Sequence, residues 1–156
     1  MKKLLLIRHA KAVQETGYKD FERPLKYSGL QDAAIMAERL HQHSIIPQIL
    51  LSSPSVRTLT TANIFAEHLS IPKPHTDKRI YDAEQTVLVS IVSELPDAHD
   101  FIGLVGHNPG ISQLLYYLTN EFRDLETCAV ALIEFDADEW GKIGRGKLVY
   151  YNSPGA

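Results

Sequence analysis

Residues 3–11, KLLLIRHAK, decide the fold: four consecutive apolar residues, 4–7, run directly into Arg8 and His9. An uninterrupted apolar run of this length is typical of a central strand that is buried on both faces of a parallel sheet. Open α/β sheets bind their ligands beyond the carboxyl ends of such strands. The stretch therefore predicts a buried strand that delivers a cation and an imidazole to a binding edge.

Strands and helices alternate along the rest of the chain. Apolar runs predict further buried strands at 49–51 and 101–105, and the stretches 129–135 and 147–151 predict an antiparallel C-terminal pair. Apolar residues at helical spacing predict helices between these runs. This alternation implies an α/β fold, a three-layer α/β/α sandwich with a mostly parallel central sheet, formed by one domain over residues 1–156.

Four polar residues mark predicted helix starts. Ser28 and Asp82 each have a glutamine three residues later, which is the spacing of a capping box. Ser53 and Asn108 each precede a proline, and this order is favoured at the N-cap and first helical position. We expect the last two helix starts to offer free backbone N–H groups at the carboxyl edge of the sheet.

The composition limits the classes of function. The net charge of −3 over 156 residues gives no global basic field, so we expect neither a nucleic acid nor a membrane as partner. The apolar run near the N-terminus has only four residues, too few for a signal peptide or a membrane span. Cys128 is the single cysteine, and we expect a buried side chain rather than a reactive thiol. These features fit a cytoplasmic protein.

Three predicted strands end in residues suited to an anion. Arg8 and His9 follow the first strand, Arg57 lies just beyond the second, and His107 follows the third. Each arginine offers paired N–H donors to phosphate oxygens, and histidine can act as nucleophile, acid or donor near neutral pH. Taken singly, such residues are more often solvated, capping or structural, so the spacing alone leaves the chemistry open.

Four segments, taken together and in this order, resemble the histidine phosphatase superfamily, also called the phosphoglycerate mutase-like family. The ordered set spans about residues 3–118, and its second segment is similar to the small SixA-like phosphohistidine phosphatases. The segments are LIRHAKA (6–12), ERPLKYSGLQDA (22–33), SSPSVRTLTTA (52–62) and VGHNPGISQLL (105–115).

The resemblance implies a phosphoglycerate mutase-like fold and a phosphatase without metal or other cofactor. His9 would be the nucleophile that becomes phosphohistidine, and Arg8, Arg57 and His107 would surround the phosphoryl group. We expect the ring nitrogen of His9 that does not attack to donate its N–H to a backbone carbonyl, which would fix the tautomer. A protonated His107 would add a third positive donor, and Asn108 would contribute to substrate binding.

The general acid is the least defined residue of the predicted site. Family enzymes that act on phosphoesters use a carboxylate that follows the segment containing Arg57. Asp82 matches this position best, with Glu84 as the alternative. Asp82 could instead cap the helix that follows it. Arg23 could reach the substrate or pair with Asp20 or Glu22.

The short segment between Arg57 and Asp82 bears on the class of substrate. Only about 25 residues separate Arg57 from Asp82, so we expect an open site without a lid. An open site favours a phosphohistidine-bearing signalling protein as partner, with the 14–24 loop as the local specificity element. The alternatives are a small-molecule phosphomonoesterase, a metal hydrolase and a non-catalytic module that binds phosphate or a phosphoprotein.

Overall fold

The computed structural model describes residues 1–14 and 16–156, and these form six strands and four α-helices. The strands are β1 (Lys2–Arg8), β2 (Ile49–Ser52), β3 (His75–Thr76), β4 (Phe101–Gly106), β5 (Val130–Phe135) and β6 (Lys147–Asn152). The helices are α1 (Tyr27–Gln42), α2 (Val56–Leu69), α3 (Gln85–Ser93) and α4 (Gly110–Thr119). Single 3₁₀ turns lie at Asp20–Glu22, Lys78–Ile80 and Trp140–Lys142.

The six strands form one sheet in the order β3-β2-β4-β1-β5-β6. β1 pairs with β4, β4 with β2, and β2 with β3, all in parallel. β5 runs antiparallel to both β1 and β6. The predicted α/β architecture, mostly parallel with an antiparallel C-terminal pair, is confirmed.

The apolar run of β1 is buried on both faces of this sheet. Leu4 and Leu6 pack into a core with residues of α3 and α4, whereas Leu5 and Ile7 pack into a second core with residues of α1 and α2. All four side chains are fully buried. Successive residues of a strand point to opposite faces of the sheet. A strand that is covered on both faces therefore has apolar residues at consecutive positions.

Three parallel strands end side by side at the carboxyl edge of the sheet. Arg8 at the end of β1 is in register with Gly106 of β4, and Ser52 of β2 is in register with Val105. The backbone N–H of His9 donates to the Gly106 carbonyl at 3.1 Å. The residues that follow these strands therefore start from neighbouring positions.

The segment after His9 is held against the start of α1. The Lys26 N–H donates to the Lys11 carbonyl at 2.9 Å, and Ala12 and Leu25 form an antiparallel bridge. A Cβ atom at Gly29 would overlap the Lys11 carbonyl oxygen, so this close approach requires glycine. The backbone next to His9 is thereby fixed by a helix far along the chain.

Two predicted helix starts, at Ser28 and Ser53, are wrong. α1 begins at Tyr27, so Ser28 lies inside its first turn. α2 begins at Val56, because Ser53 instead continues the path of β2: its N–H donates to the Val105 carbonyl at 3.2 Å. Ser53 Oγ accepts from the Ser55 N–H at 3.3 Å, just before the helix, and lies 2.8 Å from Nε2 of the distant His107.

The predicted cap at Asn108 is wrong as well. α4 begins at Gly110, and the Asn108 side chain bonds both to α4 and to the segment before β5. Its Oδ1 accepts from the Ser112 hydroxyl at 2.7 Å, and its Nδ2 donates to the Leu125 carbonyl at 3.0 Å. Asn108 therefore ties the start of α4 to the segment before β5.

Two expectations from the composition concern Cys128 and the hydropathy of the helices. Cys128 is fully buried, and burial raises the pKa of its thiol, so the expected buried side chain is confirmed. In the part of the chain that the structure describes, no helix combines the length and apolar character needed to cross a bilayer.

Candidate active site

Arg8, His9, Arg57 and His107 converge on one cavity at the carboxyl edge of the sheet. We call this cavity of about 260 Å³ the phosphoryl pocket, and all four residues line it. The ring centroids of His9 and His107 are 5.4 Å apart, and Arg57 Nη2 lies 3.3 Å from His107 Nδ1. The convergence that the three strand ends predicted is present.

His9 is held as a neutral imidazole with one nitrogen free for chemistry. Its Nδ1 lies 2.8 Å from the Ala10 carbonyl oxygen, which can only accept, so Nδ1 carries the proton and Nε2 keeps its lone pair. Burial lowers the pKa of His9 to about 4, helped by the positive charges of Arg57 and Arg8. The predicted carbonyl contact is present, and the free Nε2 suits a nucleophile.

A short chain of hydrogen bonds fixes the backbone around His9. The Ala10 N–H donates to Thr61 Oγ1 at 3.0 Å, and the Thr61 hydroxyl donates to the Arg57 carbonyl at 2.8 Å. Ala10 and Thr61 are both fully buried. The backbone beside the imidazole is thereby tied to the first turn of α2, from which Arg57 extends.

His107 is neutral in this structure, which differs from the protonated donor expected from the sequence. Arginine can only donate, so the 3.3 Å contact from Arg57 Nη2 leaves His107 Nδ1 as the acceptor. His107 Nε2 then donates to Ser53 Oγ at 2.8 Å. Burial, together with the positive charges that His9 (when protonated) and Arg57 place nearby, lowers the pKa of His107 to about 3.

The two arginines keep donors for which the protein supplies no acceptor. Arg8 Nη1 donates to the Leu125 carbonyl at 2.9 Å, and Arg57 donates through both Nη atoms to Asp20. The Nε atoms of Arg8 and Arg57 are both buried, and neither has an acceptor among residues 1–14 and 16–156. Both guanidiniums line the pocket and carry fixed positive charge, so the pocket is complementary to an anion.

Asp20 and Tyr81 are site residues that the sequence analysis missed in this role. The Asp20 carboxylate accepts from Tyr81 Oη and from Arg57 Nη2, the latter at 3.1 Å. Hydrogen bonds from Tyr81 first, then from Arg57 and Arg23, lower the pKa of Asp20 to about 2. The Tyr81 ring also stands edge-on to His107, with centroids 5.5 Å apart. Asp20 had been considered only as a partner of Arg23, and no local pattern marked Tyr81.

Arg23 and Asn108 both line the phosphoryl pocket. Arg23 pairs with Asp20 through Nη2 at 3.1 Å and donates through Nη1 to the Val13 carbonyl at 2.9 Å. Arg23 thus both pairs with Asp20 and lines the phosphoryl pocket. The 14–24 loop, apart from Glu15, which lies outside the described residues, carries Arg23 to the pocket and places Asp20 against Arg57.

Asp82 lies where the phosphoryl pocket meets a second cavity. We call this second cavity, about 570 Å³, the side groove; it is lined by His107, Asn108, Pro109, Gln113 and the run 82–86. The predicted cap at Asp82 is wrong, because α3 begins at Gln85 and Glu84 stands at its N-cap position. Asp82 has a φ of 53° and lines both cavities, whereas Glu84 lines only the side groove.

A metal site would need several ligating side chains close together. Within residues 1–14 and 16–156, no three His, Cys, Asp or Glu side chains are grouped to hold a metal ion. The imidazoles of His9 and His107 and the carboxylate of Asp82 instead share the phosphoryl pocket with three arginines.

The family follows from a model that matches residues 4–84, described as the histidine phosphatase superfamily, branch 1. The chain belongs to this superfamily. The match covers Arg8, His9, Arg57 and Asp82, and His107 lies beyond it. Membership of this superfamily supports a phosphatase activity.

Comparison with other proteins agrees with this assignment. An uncharacterized chloroplastic protein of Arabidopsis thaliana is 27% identical over 151 residues, which cover 89% of this chain and 69% of the relative. The structure of SixA from Agrobacterium tumefaciens superimposes with a TM-score of 0.85 at 24% identity and covers 98% of both chains. A tungstate complex of the protein histidine phosphatase SixA gives a TM-score of 0.86 at 21% identity and 97% coverage of both chains. This histidine phosphatase therefore has the fold of the SixA proteins.

Proposed function

We propose that this histidine phosphatase hydrolyses protein phosphohistidine, without a metal ion, through a covalent phosphohistidine on His9. One observation carries the proposal: a neutral His9 with a free Nε2 shares a pocket with the guanidinium groups of Arg8 and Arg57. A phosphoryl group would pair with these guanidinium groups and present its phosphorus to the lone pair.

In the first step, His9 Nε2 attacks the phosphorus atom and the bond from phosphorus to the leaving group breaks. The His9 proton stays on Nδ1, hydrogen-bonded to the Ala10 carbonyl, and Nε2 already has its lone pair, so the attack needs no base. The leaving nitrogen or oxygen takes a proton from Asp82 or from water. In the second step, water attacks phosphorus and gives a proton to the Asp82 carboxylate or to bulk water, the P–Nε2 bond breaks, and phosphate and neutral His9 are released.

The charges of the pocket favour the transition state. Phosphoryl transfer spreads negative charge over three equatorial oxygens, and catalysis consists mainly of positioning and electrostatic stabilisation. Arg8 and Arg57 provide fixed positive charge there without a metal. A bound dianion would also favour the protonated form of His107, which would then donate through Nδ1.

Two features favour phosphohistidine as the substrate. The stretch from Arg57 to Asp82 is taken up by α2, β3 and one 3₁₀ turn, which leaves the site open to a protein surface. Imidazole is a good leaving group and makes little demand on a general acid. The proposal includes a signalling protein as partner and the cytoplasm as location.

A small-molecule phosphomonoesterase is the second candidate, and the position of Asp82 favours it. An alkoxide leaving group needs a proton, and Asp82 lies at the junction of the phosphoryl pocket and the side groove, where a leaving group would emerge. The two candidates share the His9 intermediate and differ in the leaving group.

The test compares kcat/KM for a phosphohistidine peptide, an aryl phosphate and a sugar phosphate, each in excess EDTA. We expect activity to persist in EDTA, the phosphohistidine peptide to be preferred, and the variant His9→Ala to be inactive. His68→Ala is the matched control, because His68 is exposed on α2 and lines neither cavity. A preference for the sugar phosphate selects the second candidate, loss in EDTA contradicts the metal-free mechanism, and phosphate binding without turnover indicates a binding module.

A further inference from the structure

We propose that the side groove receives the leaving group and selects cationic or neutral leaving groups over anionic ones. This inference rests on the proposed function, because it assigns the part of the substrate that departs from phosphorus. The groove is contiguous with the phosphoryl pocket: Asp82, His107 and Asn108 line both cavities. A substrate whose phosphoryl group sits among the arginines can therefore extend into the groove.

The position of His9 agrees with this direction of departure. In-line attack requires the leaving group to lie on the side of phosphorus that faces away from the attacking nitrogen. His9 lines the phosphoryl pocket and is not part of the groove wall, whereas the candidate acid Asp82 stands at the junction of the two cavities. A leaving atom at that junction would meet Asp82 as it separates.

The charge of the two cavities differs in sign. The phosphoryl pocket is lined by five cations: Arg8, Lys11, Arg23, Lys26 and Arg57. The groove wall carries the carboxylates of Asp82 and Glu84 beside the neutral side chains of Gln85, Thr86 and Gln113. Among the described residues, no lysine or arginine lines the groove.

This difference determines which substrates fit. A leaving group with a carboxylate or second phosphate would enter a groove with two carboxylates and no compensating cation, which is unfavourable. A phosphohistidine flanked by lysine or arginine would place its cations beside those carboxylates. The substrate class is thus a phosphohistidine in a basic or neutral segment, rather than an acidic small molecule.

The experiment uses two phenyl phosphates that carry either a trimethylammonium or a carboxylate group in the para position. The measured quantity is the ratio of kcat/KM for the cationic compound to that for the anionic compound. Gln113 is exposed and lines only the groove, so Gln113→Lys should lower the ratio and Gln113→Glu should raise it. The expected change is about two- to fivefold at low ionic strength and smaller at high salt.

Gln42→Lys is the matched control, because Gln42 is exposed at the end of α1 and lines neither cavity. Equal shifts in Gln113→Lys and Gln42→Lys would overturn the assignment of the groove. If the protein does not turn over the phenyl phosphates, the ratio of dissociation constants for the corresponding aryl phosphonates provides the same comparison.

A second arm compares lysine-flanked with glutamate-flanked phosphohistidine peptides on the unmodified protein. Preference for the lysine-flanked peptide is expected, and preference for the glutamate-flanked one would overturn the inference. If neither peptide is hydrolysed while the aryl ratio responds to Gln113, the proposed substrate is wrong and the groove assignment stands.

Discussion

The Arg57 guanidinium lies between a carboxylate and an imidazole: Nη2 is 3.1 Å from Asp20 Oδ2 and 3.3 Å from His107 Nδ1. Arg57 Nη1 also donates to the Asp20 backbone carbonyl at 2.6 Å. The loop that carries Asp20 therefore orients an arginine of the phosphoryl pocket and competes with a bound anion for its charge.

Asp20→Asn tests this dual role. Loss of the carboxylate charge should make inorganic phosphate a tighter competitive inhibitor, by about two- to fivefold at low salt. The poorer orientation of Arg57 should lower kcat, by about tenfold. Inhibition constants and kcat measured on the same preparation separate the two effects. Unchanged phosphate inhibition would show that the Asp20 charge does not act on the pocket.

Arg57→Lys tests the need for a planar guanidinium. Lysine keeps the charge but cannot contact Asp20, His107 and a phosphoryl oxygen at once, so kcat should fall by about 10²–10³. Arg79→Lys is the control, because Arg79 pairs with Asp77 and Glu94 on the surface, away from the pocket. Equal kinetics for the two variants would remove Arg57 from the proposed mechanism.

Ser53→Ala tests the hydrogen bond that sets the tautomer of His107. The variant leaves His107 Nε2 without its acceptor, which should destabilise the fold by about 1–3 kcal/mol and allow the ring to carry its proton on Nδ1. Nitrogen chemical shifts of the imidazole report the tautomer directly. Ser53→Thr, which keeps the hydroxyl, should restore the original pattern. A tautomer that is the same in all three proteins would contradict the assignment.

The buried histidines predict how stability depends on pH. His9 and His107 have pKa values of about 4 and about 3 when folded, against 6.5 when unfolded. Below pH 6.5 the unfolded chain therefore binds protons that the folded chain does not, and stability falls as the pH drops toward 4. Each histidine contributes a slope of about 1.4 kcal/mol per pH unit in this window.

Urea unfolding between neutral and mildly acidic pH measures this slope. His107→Asn should lower this slope by the contribution of one buried histidine. His68→Asn is the control, because His68 is exposed. A free energy of unfolding that stays constant over the window would mean that the imidazoles are protonated in the folded protein.

The sequence predicted the framework of the site because that information is local. The apolar run of β1 required burial on both faces, and parallel strands necessarily bring Arg8, Arg57 and His107 to one edge. The helix starts were mispredicted because the side chains of Ser53 and Asn108 also bond to partners far along the chain, which no local pattern shows. The contact of Asp20 with Tyr81, 61 residues apart, has no local pattern for the same reason.

The most direct test of the central claim is to locate the phosphoryl group during turnover. Rapid quenching followed by peptide mapping should place it on His9, in a linkage that is labile in acid and stable in base and is missing from His9→Ala. A phosphoryl group on another residue, or turnover with no phosphorylated protein at any time point, would contradict the account.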